Sequence, residues 1–111
     1  MRDGLREYYV ISQMTSRVVL AKSNRPGKRM KADFENKTIH FGSKGGSTYT
    51  DHGNQKPKEN WMKRHRVNEN WKKYDTAGAL AKHVLWNKKT MKASVRDLNA
   101  QQNQYKFVLQ K

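Results

Sequence analysis

A chain of 111 residues has room for one ordinary domain, and this one carries 24 Lys and Arg against 9 Asp and Glu, a formal net charge of +15. Leu, Ile, Val and Phe number only 18, a composition that borders on disorder at such charge, but three Trp, five Tyr and three Phe point to a folded domain with a thin, aromatic-rich core. The absence of cysteine excludes a disulfide framework, a thiolate zinc site and a thiol nucleophile, and no apolar run approaches the ~18 residues of a membrane span.

The N-terminal Met1-Arg2-Asp3-Gly4 lacks the hydrophobic stretch of a secretory signal, so the expected setting is a cytoplasm, a nucleus or a particle assembled there. The first half then predicts strands. Tyr8-Tyr9-Val10-Ile11 and Arg17-Val18-Val19-Leu20-Ala21 are β-prone runs separated by a turn at residues 12–16. Ser23-Asn24-Arg25-Pro26-Gly27 is the clearest loop signal. A hairpin follows, from Lys31-Ala32-Asp33-Phe34 to Thr38-Ile39-His40-Phe41. Asn36 is expected to take the positive φ of its tight turn, and Phe34, Ile39 and Phe41 to supply an inward face. Residues 42–53 read as a polar loop with four glycines.

The second half predicts helices. The first covers residues 58–67, with Pro57 tolerated in its opening turn. The second covers residues 77–86, where Ala77, Leu80, Ala81, Val84 and Leu85 form one helical stripe behind an N-cap at Asp75 or Thr76. The third begins after Thr90, with Met91, Val95 and Leu98 on one face. Tyr105-Lys106-Phe107-Val108-Leu109 alternates and reads as a strand returning to the sheet. The fold class expected is therefore α+β: one domain over residues 1–111, with a small antiparallel sheet from the N-terminal half packed against about three α-helices from the C-terminal half.

The charge is uneven, with a net of +5 over residues 1–55 and +10 over residues 56–111. Solubility asks for a net charge of only about 2–8 on a small domain, so an excess of this size points to a polyanionic partner. The basic residues are interleaved with structure-forming ones, as on a basic face of a fold. Lys63, Arg64 and Arg66 follow Trp61; Lys72 and Lys73 follow Trp71; Lys88, Lys89, Lys92 and Arg96 surround the start of the third helix. Lys92 and Arg96 are i, i+4 neighbours off the apolar stripe, a helix edge suited to a phosphate backbone. Trp71 and Tyr74 are candidates for base stacking, although a chain this poor in aliphatics needs Trp61, Trp71 and Trp86 in its core.

The segment from Phe41 to His52 places glycines beside Lys44. Its spacing fits neither a P-loop nor a Rossmann fingerprint, which leaves a loop offering N–H groups and Lys44 to a phosphate, or a plain connector. Four histidines, His40, His52, His65 and His83, show no helical metal spacing. Asp51 and His52 with Arg64 and His65 suggest a nuclease site only weakly, since such sites converge several carboxylates on a metal. No catalytic residue, metal or other cofactor is implied.

Taken together, Thr38-Ile39-His40-Phe41-Gly42, Lys44-Gly45, Tyr49-Thr50-Asp51-His52, Arg64-His65, Trp71, Gly78, Leu85-Trp86-Asn87-Lys88, Thr90 and Ser94 form an ordered pattern. It resembles the small basic proteins of uncharacterised function encoded by nucleocytoplasmic large DNA viruses, the giant viruses, over about residues 30–98. The chain departs from that pattern at Lys89, where the family often has Pro, and at Ala79, where it often has an aromatic residue. The resemblance implies a viral setting, in the virion or the viral factory of the host cytoplasm. With the charge, it leads to the expectation of a non-enzymatic, largely sequence-independent DNA-binding protein that compacts or packages a large viral genome. Lys44, Lys63, Arg64, Arg66, Lys72, Lys73, Lys88, Lys89, Lys92 and Arg96 would contact the phosphates of double-stranded DNA, with RNA as the other polyanion and no membrane partner. The alternative is a structural virion protein, a minor capsid or core component whose basic face binds acidic viral proteins; self-association or contacts with other virion proteins fit either reading.

Overall fold

In a computed structural model of the chain, residues 15–110 are described; the strand expected at residues 8–11 lies outside them. Strands β1 (Ser16–Lys22), β2 (Lys28–Asp33) and β3 (Thr38–Ser43) form an antiparallel meander. Period-two alternation aims Val18 and Leu20 of β1, Met30 and Ala32 of β2, and Phe41 of β3 at one face, where all are buried. Phe34 and Ile39 pack at the margin of the same core, as the sequence predicts. The opposite face carries Arg17, Val19 and Ala21 of β1, Lys31 and Asp33 of β2, and His40 of β3.

The β2–β3 turn differs from expectation. The Phe34 N–H donates to the Lys37 carbonyl at 2.8 Å, yet no described residue other than glycine has a positive φ, so Asn36 is not left-handed. The strand ends are tied instead by the Thr38 hydroxyl, which donates to the Asp33 carboxylate at 2.7 Å.

Five helical pieces follow. Within the stretch read as a polar loop, α1 (Tyr49–His52) is a single turn. The Thr48 N–H donates to the Asp51 carboxylate at 2.7 Å, the acidic half of a capping box. The α2 helix (Gln55–Arg66) starts three residues before the predicted boundary, with Pro57 in its first turn, where a missing N–H costs no intrahelical bond. The third piece, α3 (Ala77–Leu80), is capped by the Thr76 hydroxyl, which accepts the Ala79 N–H at 3.3 Å. It continues as a π-helical turn, Ala81–Leu85, closed by the Trp86 N–H on the Ala81 carbonyl at 3.1 Å. That widened turn brings His83, Val84, Leu85 and Trp86 inside together, whereas Ala77, expected on the buried stripe, is exposed. Finally α4 (Met91–Gln101) is capped by Thr90, and it buries Ser94, Val95 and Leu98.

The chain then forms β4 (Tyr105–Leu109), which lies parallel to β1 and completes a mixed sheet of order β3-β2-β1-β4. The α+β class is the one the sequence predicts. The parallel pair arises because the helices carry the chain from one edge of the sheet to the other, the kind of crossover that parallel neighbours require. Phe107 of β4 joins the core. As an edge strand, β4 would leave backbone groups unpaired. The Asn99 side chain donates to the Phe107 carbonyl at 2.9 Å and accepts its N–H at 2.8 Å; Gln102 does the same for Tyr105, both at 2.8 Å.

Two left-handed glycines separate two costs. Gly27 and Gly42 both have φ of +79°, but a Cβ at Gly27 would meet nothing within 4 Å, whereas one at Gly42 would lie 2.7 Å from Leu85 Cδ1. Gly27→Ala is expected to cost about 1–2 kcal/mol in urea unfolding, and Gly42→Ala a further 1–3 kcal/mol, roughly, for the packing conflict. Asn99→Ala should cost about 1–3 kcal/mol and raise self-association in sedimentation, since it uncovers the β4 edge.

Candidate nucleic-acid interface

All ten cations singled out in the sequence are exposed. The ion pairs among the described residues are Arg29–Asp51, Lys31–Asp33 and Lys37–Asp75, and none of the ten takes part in them. The fold divides the ten among separate places.

Lys88, Lys89, Lys92 and Arg96 gather around the loop between the π-helical turn and α4. The buried Ser94 hydroxyl fixes that loop by accepting the Lys88 N–H at 2.9 Å and donating to the Thr90 carbonyl at 2.9 Å. Two cations that the sequence pattern does not single out join this group. Lys58 of α2 donates to the Asn87 carbonyl at 2.6 Å, and its Nζ lies 4.5 Å from the Tyr49 ring centroid. Burial lowers its pKa, and the nearby charge of Lys88 acts in the same direction. Lys82 of the π-helical turn stands over Trp71, 5.4 Å from the ring centroid, and burial lowers its pKa too. The neighbouring carboxylate is Asp97, which accepts from Asn87 Nδ2 at 2.8 Å. The Lys89 stem packs against Gly53 and ties the group to the end of α1.

Lys63, Arg64 and Arg66 occupy the last turn of α2, where cations also complement the helix dipole. Lys72 and Lys73 lie between α2 and α3, beside Trp71. Lys44 belongs elsewhere: its N–H donates to the Gly27 carbonyl at 3.1 Å, which sets it next to the β1–β2 loop with Arg25 and Lys28. These two, with Lys31, surround His40, whose Nδ1 hydrogen-bonds the Ser23 hydroxyl at 2.7 Å. Partial burial and then the charges of Arg25 and Lys31 hold the His40 pKa below its ordinary value. The sequence signal for this group is present in the basic residues flanking Pro26-Gly27, but its assembly depends on the hairpin register.

The glycine-rich loop is more connector than cradle. The N–H groups of Lys44, Gly46 and Thr48 all donate within the protein, to Gly27, Ser43 and Asp51. Asp51 is committed as well. Arg29 grips it with two hydrogen bonds of 2.5 and 2.7 Å and holds its carboxyl well below the usual carboxylate range, and Thr48 adds to the effect.

Aromatic rings organise the helical layer. Trp61 and Trp86 stack at 5.2 Å and 11°, and both are nearly buried, as a core role requires. His65 continues the stack on Trp61 at 4.2 Å, while His52 meets Trp86 edge-on at 5.8 Å. The two histidines weighed for a nuclease site therefore flank opposite ends of the Trp pair, and no group of three or more His, Asp or Glu residues suited to a metal occurs among the described residues. Trp71 and Tyr74 are half-buried against the core, and Tyr74 tilts over His83. His83 is buried and neutral in form: Nε2–H donates to the Trp71 carbonyl at 2.8 Å, and Nδ1 accepts from Gln101 at 3.1 Å.

A profile described as a family of unknown function (DUF5754) matches residues 18–65, from β1 to the last turn of α2. No curated protein and no solved structure matches the chain. No helix among the described residues is long and apolar enough to cross a membrane.

Burial holds the His83 pKa below its ordinary 6.5, and the bond to Trp71 only partly offsets this. The unfolded chain then binds more protons than the folded one below that value, so the His83 contribution is fully present above about pH 6.5 and is lost as the pH falls through the folded-state pKa. Urea unfolding between pH 7.5 and 5 should show falling stability, and His83→Gln should flatten that slope without abolishing it, because His40 contributes with the same sign.

Proposed function

We propose that this protein is a non-enzymatic, largely sequence-independent DNA-binding protein that compacts a large genome, in the viral setting that the sequence resemblance implies. One observation carries the reading: ten exposed cations on several elements, none neutralised by the carboxylates of the described residues. Duplex DNA carries about one negative charge per 1.7 Å of axis, and neutralising it releases condensed counterions whatever the sequence. Lys88, Lys89, Lys92 and Arg96, with Lys58 beside them, form the strongest single patch. The last turn of α2 and the Lys44 group supply cations elsewhere on the surface. A protein with several such patches engages more than one DNA segment, and bridging of that kind condenses long DNA. The Ser94–Lys88 bond and the Lys58–Asn87 bond fix the main patch in advance, which lowers the ordering cost of binding.

The test is a mobility-shift titration on random-sequence duplex DNA over a range of salt. Binding should be indifferent to sequence and fall steeply with salt. The combined substitution of Lys88, Lys89, Lys92 and Arg96 by Gln should flatten the slope of log K against log salt by about 0.9 for every phosphate that is no longer neutralised. Binding confined to one sequence, or none near physiological salt, overturns the reading and directs attention to an acidic protein partner.

A further inference from the structure

A cavity of about 450 Å³ opens between the end of β3, α2 and the start of α3, within the ~300–1,000 Å³ range of small-ligand sites. None of the ten cations lines it. Its floor is Ala77, Gly78 and Ala81, and the smallness of these residues is what leaves the space. One wall is the ring stack of Trp86, Trp61 and His65, in which His65 is the half-buried terminal member.

The acidic group in the lining is Glu69, just beyond α2. Among the described residues its carboxylate makes no ion pair and accepts no hydrogen bond. That carboxylate occupies the space a Cβ would fill at Gly78, so the glycine admits the acceptor into the hollow. A helix-dipole role at the first turn of α3 accounts for a carboxylate there, but it accounts for neither the hollow nor the aromatic wall.

We propose that this cavity receives the guanine base of a nucleotide, free or unpaired within a strand. An aromatic stack with an open end calls for a flat ring. An unpartnered carboxylate calls for hydrogen-bond donors on the edge of that ring. Guanine presents two adjacent donors, N1–H and the exocyclic amino group, to match the two carboxylate oxygens. Adenine and cytosine turn a bare ring nitrogen toward the carboxylate, and uracil offers one N–H between two carbonyls. The phosphate would lie outside, toward the cations next in sequence to lining residues: Lys44 after Ser43, and Arg64 and Arg66 on either side of His65. The inference rests on the polyanion reading for these outer cations alone, and it adds a contact to unpaired bases that duplex binding does not use.

The test titrates the full chain with GMP, AMP, CMP and UMP, followed by tryptophan fluorescence, at salt high enough to abolish the duplex mobility shift. GMP is expected to quench saturably and about tenfold or more tightly than the others. Glu69→Gln should remove the preference. Gly78→Ala should weaken GMP binding by displacing the carboxylate while the far-UV circular dichroism stays unchanged. A folded protein that gives no saturable response, or equal affinity for all four nucleotides, overturns the proposal. Displacement of GMP by a hairpin with one unpaired guanine in its loop, but not by its adenine counterpart, assigns the site to a strand; failure of both hairpins assigns it to the free nucleotide. Because the readout is taken where duplex binding is lost, failure of the cavity and failure of the polyanion reading are scored separately.

Discussion

The stacking of Trp61 on Trp86 is the contact on which the helical layer depends. With only 18 Leu, Ile, Val and Phe residues in the chain, helix packing by aliphatic ridges has little material, and large rings supply the buried area instead. Trp61 lies midway along α2, and Trp86 ends the π-helical turn that packs on the sheet through Leu85 and Val84. The stack therefore fixes α2 against the rest of the molecule. It also holds His65 at a set place among the cations of the last turn of α2, and His52 at the end of α1.

Around that stack the polar side chains are used sparingly and with clear division of labour. Seven carboxylates fall among residues 15–110, and three of them are paired with Arg29, Lys31 and Lys37. The cations so consumed sit on β2 and at the β2–β3 turn. Those of α2, α4 and their loops make no ion pair among the described residues. Surface pairs such as Lys37–Asp75 contribute little stability in water, so the excess charge cannot be explained as scaffolding. Arg29–Asp51 is different, because it also serves the cap of α1: Arg29 donates to the Thr48 hydroxyl as well, and Asp51 accepts the Thr48 N–H.

The same economy governs the sheet. Its edge at β4 is sealed by two side-chain amides rather than by another strand or by charge, and both amides come from the end of α4 and the turn after it. The helix that presents Lys92 and Arg96 outward thus secures the last strand through Asn99. Lys92, Arg96 and Asn99 are spaced i, i+4 and i+7, so charge and fold share one side of that element.

The strands β1 to β3, the helix at Met91–Gln101 and the α+β class were legible from residues 17–109, because alternation and helical stripes are local patterns that burial enforces. The exposure of all ten cations was legible too, since Lys and Arg cannot be buried unpaired. The left-handed turn assigned to Asn36 did not materialise, and α1 was hidden in a polar loop although Thr48 and Asp51 carry capping-box spacing. What only tertiary structure decided is what touches what across the chain. Lys58 and Lys82 join Lys88 because α2, the π-helical turn and the following loop converge; Lys44 joins Arg25 and Lys28 because β3 pairs with β2. Glu69 reaches the hollow over Gly78 because the chain folds back after α2. Periodicity along a sequence reports which face of an element is apolar, but it holds no information about which distant elements will meet, and charge clusters and cavities are made by those meetings.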